Sequence, residues 1–240
     1  SIDEAPWLLD CEDYDPPYHV DPAVLENDRT AVPGGWADPE DIDSIGEKLA
    51  AVETRFRDDE GRPLNPHGRT GIAGRGLLGY WGPNLSVAAV LARQDETAGT
   101  TEVLLGGAEK IGLGLPKGFV LHEEDALDAV GRVLEREVGW RPPQDQGEAV
   151  FDGFTYDRRQ TDHAWVESRA YLFHGQLDAM PGSLEAVGEF DEVRWWPLEP
   201  DTVNRLPSDQ AQFLRAAVAR LMETDRLPRS VGEGLLERTG

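Results

Sequence analysis

Basic residues are scarce: 23 Lys and Arg stand against 46 Asp and Glu in 240 residues, a formal net charge of -23. So acidic a chain argues against non-specific nucleic-acid binding, which needs cations to neutralise phosphates, and against adhesion to anionic membranes. Cysteine is rarer still. Cys11 alone excludes an intramolecular disulfide and any cysteine-rich metal site. No run of 18 apolar residues occurs, so no membrane-spanning helix is expected. The opening SIDEAPWLLD carries acids and no basic stretch, unlike a signal peptide, and a soluble cytoplasmic protein is the default expectation. Apolar residues are not lacking. They make up 39% with 7 Trp, 7 Phe and 5 Tyr, enough for one substantial core.

The charge is uneven. Residues 1–60 hold 18 acids and 4 bases, whereas residues 61–94 hold no acid and carry Arg62, Arg69, Arg75 and Arg93. A basic, glycine-rich stretch inside an acidic chain is where an anion would settle. Seven glycines in 61–84 (GRPLNPHGRTGIAGRGLLGYWGPN) predict tight turns or close backbone approach rather than a regular element. The region before it, with Pro-Pro, Gly-Gly and Asp-Pro pairs, reads as irregular chain with a short helix near Ile45–Phe56. Strands are expected at Ser86–Arg93, Thr101–Leu105, Ala149–Thr155, Ala164–Phe173 and Glu192–Pro197. Helices are expected from about Asp125 to Val138 and over Ser208–Met222, with Ser208 as a cap. Strands interrupted by one helix and closed by another predict an α+β sandwich. The expected division is 1–84 as an N-terminal extension packing on the core, 85–228 as the main domain, and 229–240 as a frayed tail.

The helix at 125–138 is where chemistry is expected. Leu127, Val130, Leu134 and Val138 recur at three and four and make one buried stripe, and Gly139 ends the helix. Glu137 falls at the edge of that stripe and Glu124 at the helix entry. Carboxylates so placed beside a glycine-containing turn can hold a hard divalent ion against a diphosphate, or can be solvated helix charges.

Gly118–Trp140 resembles the signature of the Nudix family, with Gly118, Glu124, Arg132, Leu134, Glu137, Gly139 and Trp140 in place. Val133 and Arg136 depart from it, each standing where the signature has glutamate, so the box is degraded. Further pieces resemble the mitochondrial-type ADP-ribose pyrophosphatases of that family and the related ADP-ribose-sensing domain of a cation channel. They are the Tyr14–Tyr18 segment, WADPE (36–40), the glycine-rich 61–84, YDRRQTDHAWVES (156–168), EVRWWPL (192–198) and SDQAQFL (208–214).

The resemblance implies a Nudix-type α/β/α sandwich with a mixed sheet, preceded by an N-terminal extension. It also implies a nucleotide-diphosphate ligand, ADP-ribose or a related NAD-derived dinucleotide. In hydrolytic members Mg2+ or Mn2+ assists cleavage to release AMP. Glu137 and Glu124 are the expected metal ligands here, in a site weakened or lost. Glu189, among the acids Glu185, Glu189, Asp191 and Glu192, is the expected general base, unless that loop is merely solvated. Arg136 could contact phosphate directly as a fixed fork, which would favour binding without hydrolysis. Asp162 matches a position associated with the ligand's ribose, or could turn its own backbone. Arg158 or Arg159 could pair with phosphate, and His163 stands where close relatives carry asparagine. Arg69 and Arg75 could hold phosphate or pin the glycine-rich loop. Tyr18 and Trp81 could stack on adenine or pack. His67, His122 and His174 are isolated and form no metal spacing. Metal-assisted hydrolysis of the diphosphate is the expected activity, with a binding or sensing module as the alternative. No nucleic-acid or membrane partner is expected, and the oligomeric state is open.

Overall fold

The computed structural model describes all residues except 1–4, 10, 12, 96, 110–111, 144–145, 177–179, 182–183 and 237–240. The chain forms two compact units, one of residues 1–85 and 154–167, the other of 86–153 and 168–240.

The first unit has little regular structure. It contains α1 (Ala5–Leu8), β1 (Tyr18–Val20), α2 (Pro22–Leu25), a 3-10 turn (Ile42–Ile45), α3 (Gly46–Ala50) and β2 (Ala73–Gly76). β1 pairs with β2 in parallel, Tyr18 opposite Ala73. α2 and the 3-10 turn are capped by the side chains of Asp21 and Asp41. The helix expected as far as Phe56 stops at Ala50, because Arg57 folds back onto the carbonyls of Leu49 and Val52 at 2.9 and 3.1 Å and turns the chain there. One apolar cluster of this unit gathers Ile45, Leu49 and Trp81, with Ile42 against them. Beside it lies a buried polar centre: Asp38 takes Lys48 at 2.7 Å, Arg29 at 3.1 Å and the Trp81 N–H at 3.1 Å. The glycine-rich stretch behaves as its composition predicts, with Gly68, Gly71, Gly74, Gly76 and Gly82 all at positive φ.

The second unit carries β3 (Gly82–Asp95), β4 (Thr100–Ala108), β5 (Gly112–Gly114), β6 (Lys117–Phe119), α4 (Ala126–Val138), β7 (Glu148–Phe154), β8 (Ala164–Gln176), β9 (Glu192–Pro197), α5 (Pro200–Asn204), α6 (Ser208–Glu223) and α7 (Arg229–Leu236). The sheet order is β5-β4-β3-β8-β7, with β6 paired to β3 and β9 to β4. Val87 to Ala92 in β3 are all at most 1% exposed, so this strand is covered on both faces, which explains its unbroken apolar run. Alternation then divides the core. Ala88, Val90 and Ala92 of β3 and Val103 and Leu105 of β4 cluster with Phe213, Leu214, Ala217 and Val218 of α6. The fold is a central mixed sheet flanked by helices with an additional N-terminal unit, the sandwich class expected from the sequence.

Two expectations change at the C-terminal end. Ser208 is the first helical residue of α6 rather than its cap, because Pro207 occupies the cap position and its carbonyl takes the Ala211 N–H. The stretch expected to fray is helical over Arg229–Leu236, held by Leu235, which is buried in the α6 cluster. Residues 237–240 lie outside the described residues. No helix among the described residues is long and apolar enough to cross a membrane.

Candidate functional site

α4 starts where the sequence predicts. Asp125 caps it by accepting the Leu127 N–H at 2.7 Å, and Gly139 closes it in the left-handed conformation at φ 68. The helix packs tightly on β6. A Cβ on Gly118 would lie 2.9 Å from Val133 Cγ2 and 3.2 Å from Arg136 Nη2, so only glycine fits there.

Glu124 does not present a free carboxylate. Its Oε1 accepts Arg132 Nε at 2.6 Å, and its Oε2 accepts Arg132 Nη2 at 2.7 Å and the Leu121 N–H at 2.9 Å. Arg132 Nη2 also donates to the Phe119 carbonyl at 2.8 Å. The hydrogen-bonded Arg132 guanidinium is the main reason the Glu124 carboxyl sits below the usual range. Glu124 and Arg132 together pin the loop between β6 and α4.

Glu137 is 2% exposed and is likewise engaged. Its Oε1 accepts Arg136 Nε at 2.7 Å and its Oε2 accepts the Glu189 N–H at 2.8 Å, while its backbone carbonyl accepts the Val187 N–H at 3.1 Å. A Cβ on Gly188 would stand 2.4 Å from Glu137 Oε2, so the loop lies directly on the carboxylate. The structure thus brings Glu137, Arg136 and Glu189 together. Glu137 is the buried post, Arg136 an exposed guanidinium fixed by its Nε, and Glu189 an exposed side chain on a tethered backbone. Asp191 turns instead to the Glu109 N–H at 2.9 Å.

These residues do not fit a divalent ion as placed. Mg2+ demands near-octahedral oxygen ligation, yet every carboxylate oxygen of Glu124 and Glu137 already accepts from a guanidinium or an amide. Val133, at 0% exposure, offers no oxygen to such an ion. Among the described residues, no group of three or more His, Cys, Asp or Glu could hold a metal.

The remaining predicted contacts lie in the first unit, where most are turned inward. Asp162, 2% exposed, accepts the Thr70 N–H at 2.6 Å and the Thr70 hydroxyl at 2.8 Å on Oδ1, and the Tyr14 hydroxyl at 2.6 Å on Oδ2. Burial first, then this bond to Asp162, pushes the Tyr14 hydroxyl up to about 12. Arg75 is fully buried, donating to the carbonyls of Asp38 and Gly79 and to Glu40. Tyr18 also donates to Glu40. Arg69 lies over the Trp7 and Tyr14 rings, 5.0 and 5.1 Å from their centroids, and donates to the Leu9 carbonyl. Arg158 differs: it is exposed, with no ion-pair partner among the described residues. Tyr156, two residues earlier, is 77% exposed. No sequence signal marked Asp58, Thr70 or Gly188 as partners of predicted site residues, since each reaches its contact across 50 residues or more.

His163 Nδ1 accepts the Gly74 N–H at 3.0 Å, so Nε2 carries the proton and faces Asp58 Oδ2 at 3.1 Å. A second proton, on Nδ1, would point at the Gly74 N–H. Burial is the largest influence and holds the imidazole below its ordinary 6.5, although Asp58 opposes it. A histidine with a lowered folded-state value contributes stability that is full above 6.5 and lost as pH falls through the lowered value. The urea midpoint is therefore expected to fall between about pH 7.5 and about pH 5. His163→Asn can accept from Gly74 and donate to Asp58 without titrating, and should remove that part of the slope. Unchanged pH sensitivity in this variant would refute the assignment.

Residues 82–217 match the family described as NUDIX domain, and residues 1–82 the one described as NUDT9-like, N-terminal domain. The Caenorhabditis elegans protein named "Putative nudix hydrolase 6" is 31% identical over 215 residues, covering 79% of this chain and 78% of its own. The Rattus norvegicus mitochondrial ADP-ribose pyrophosphatase is 27% identical over 252 residues, covering 87% of this chain and 69% of its own. The Mus musculus transient receptor potential cation channel subfamily M member 2 is 29% identical over 205 residues, covering 72% of this chain but 13% of the channel. With more than half of its length matched by that domain, the chain belongs to the NUDIX family.

Proposed function

We propose that this protein binds ADP-ribose or a closely related NAD-derived nucleotide diphosphate at the outer edge of α4 and hydrolyses it little or not at all. One observation carries the reading. The carboxylates that would hold a metal are already satisfied by Arg132 and Arg136, which leaves a fixed guanidinium beside the helix in place of a cation site. Arg136 spends its Nε on Glu137, and its two Nη groups are proposed to meet the diphosphate oxygens directly. The named ligands of the pyrophosphatase relative support the nucleotide class. Arg69, Arg75, Tyr18, Asp162 and His163 are proposed to shape their segment rather than touch the ligand. The cytoplasmic, NAD-linked setting expected from the sequence belongs to the same proposal.

Hydrolysis is the second reading, favoured by Glu189, whose carboxylate is exposed while its backbone is tethered to Glu137. Calorimetry and product analysis decide between the two. ADP-ribose and NAD are titrated with Mg2+, with Mn2+ and with EDTA, and AMP is assayed. Binding insensitive to EDTA with AMP at background is expected, whereas EDTA-sensitive AMP release would establish hydrolysis. Arg136→Gln removes a charge-assisted contact of about 1.5–3 kcal/mol, so affinity is expected to drop about tenfold to a hundredfold.

A further inference from the structure

A second cavity in the same unit, of about 560 Å³, is lined by Glu148 of β7, by Leu172, Phe173 and His174 of β8, and by Met180 and Arg226 beyond them. Its volume lies within the range of small-molecule sites. One polar group on its wall has no hydrogen-bond partner and a second is only loosely paired. His174 Nε2 is buried and makes no hydrogen bond, a state that costs stability unless something fills the gap. Arg226 is half exposed, and its Nη1 stands 3.7 Å from Glu148 Oε2, beyond hydrogen-bond distance. Glu148 meets Arg220 on its other oxygen, and Arg220 is met in turn by Glu223 at 3.3 Å. The Arg226 guanidinium, only loosely met by Glu148, therefore stands on the wall near an imidazole that burial and the Arg226 charge hold below its ordinary range. The rest of the lining named above is apolar.

We infer that this cavity is a second ligand site, distinct from the edge of α4, and that it takes a small oxyanion, a phosphomonoester or carboxylate, on a flat apolar body. Arg226 would meet the anion, His174 Nε2 would complete one hydrogen bond to it, and Phe173, Leu172 and Met180 would cover the apolar part.

The test titrates the intact protein with phenyl phosphate, benzoate and, as a neutral control of the same shape, benzyl alcohol, followed by calorimetry and by the imidazole NMR signals of His174. Saturable binding of phenyl phosphate or benzoate is expected, with the His174 signals moving along the same curve and benzyl alcohol at least tenfold weaker. Phenyl phosphate alone binding would assign the phosphomonoester source, and benzoate alone the carboxylate. Arg226→Gln should weaken the anions about tenfold or more while leaving ADP-ribose binding unchanged, which separates this site from the one at α4. Because Arg226 is half exposed, the variant keeps the fold, and an unchanged melting temperature checks this. No saturable binding, equal affinity for the neutral control, silent His174 signals, or full affinity in Arg226→Gln would each overturn the inference.

Discussion

Asp162→Ala is expected to destabilise the protein by about 3–5 kcal/mol, the range for removing one partner of a buried charged network. Three donors converge on this carboxylate, from the Thr70 amide, the Thr70 hydroxyl and the Tyr14 hydroxyl, at 2.6, 2.8 and 2.6 Å. The Tyr14 oxygen in turn accepts the Gly71 N–H at 2.9 Å, so Asp162 organises the glycine-rich loop through two layers of bonds. Alanine would leave all three donors without the buried charged acceptor that gathers them. Asn should cost less, about 1–2 kcal/mol, since one amide oxygen still serves Thr70 and the Tyr14 hydroxyl can turn to accept. Urea unfolding followed by tryptophan fluorescence reads both. An Asp162→Ala protein as stable as the parent but unable to bind ADP-ribose would return this residue to the ribose-contact role that its sequence position suggests.

Glu137→Ala carries the next largest effect, about 2–4 kcal/mol. The substitution removes a charged acceptor that burial makes costly to lose, leaves the Glu189 N–H without its partner and opens space under Gly188. A local signature accompanies it: the Glu189 amide should exchange with solvent at least tenfold faster, because it donates to the Glu137 carboxylate. Under the proposed function, ADP-ribose affinity falls as well, since Arg136 loses the anchor on its Nε. Unchanged protection at Glu189 would show that the loop does not depend on the buried carboxylate. Both substitutions remove an acid from a chain of net charge -23, which by general repulsion alone should stabilise it slightly. A loss is therefore attributable to the specific bonds.

An acidic protein that recruits an anion needs a local exception to its own field. In many diphosphate sites a metal ion supplies it. Under the proposed function the exception is covalent: Arg136 is part of the helix and is held by the buried Glu137. Binding of this kind should be less sensitive to chelators than a metal site, at the expense of the Lewis acid that cleavage requires.

Periodicity alone located most of the framework. The apolar run from Val87 to Ala92, the stripe through Val130, Leu134 and Val138, the helix start near Asp125 and the stop at Gly139 all lie where hydrophobic spacing and cap chemistry place them. Those signals are local, acting over one strand or one turn of helix, and the chain carries them whatever surrounds it. The sequence likewise determined the overall charge and the single thiol. Tertiary structure alone decided what the polar residues do. Glu124 could face a metal or Arg132, Asp162 a ribose or Tyr14 across 148 residues, His163 a ligand or Asp58 across 105, and Glu137 solvent or the Glu189 amide across 52. A carboxylate is equally suited to each of these partners, so residue type cannot choose among them. The choice is made by which donors the closed loops bring within 3 Å and by burial, which penalises any that are left unmet.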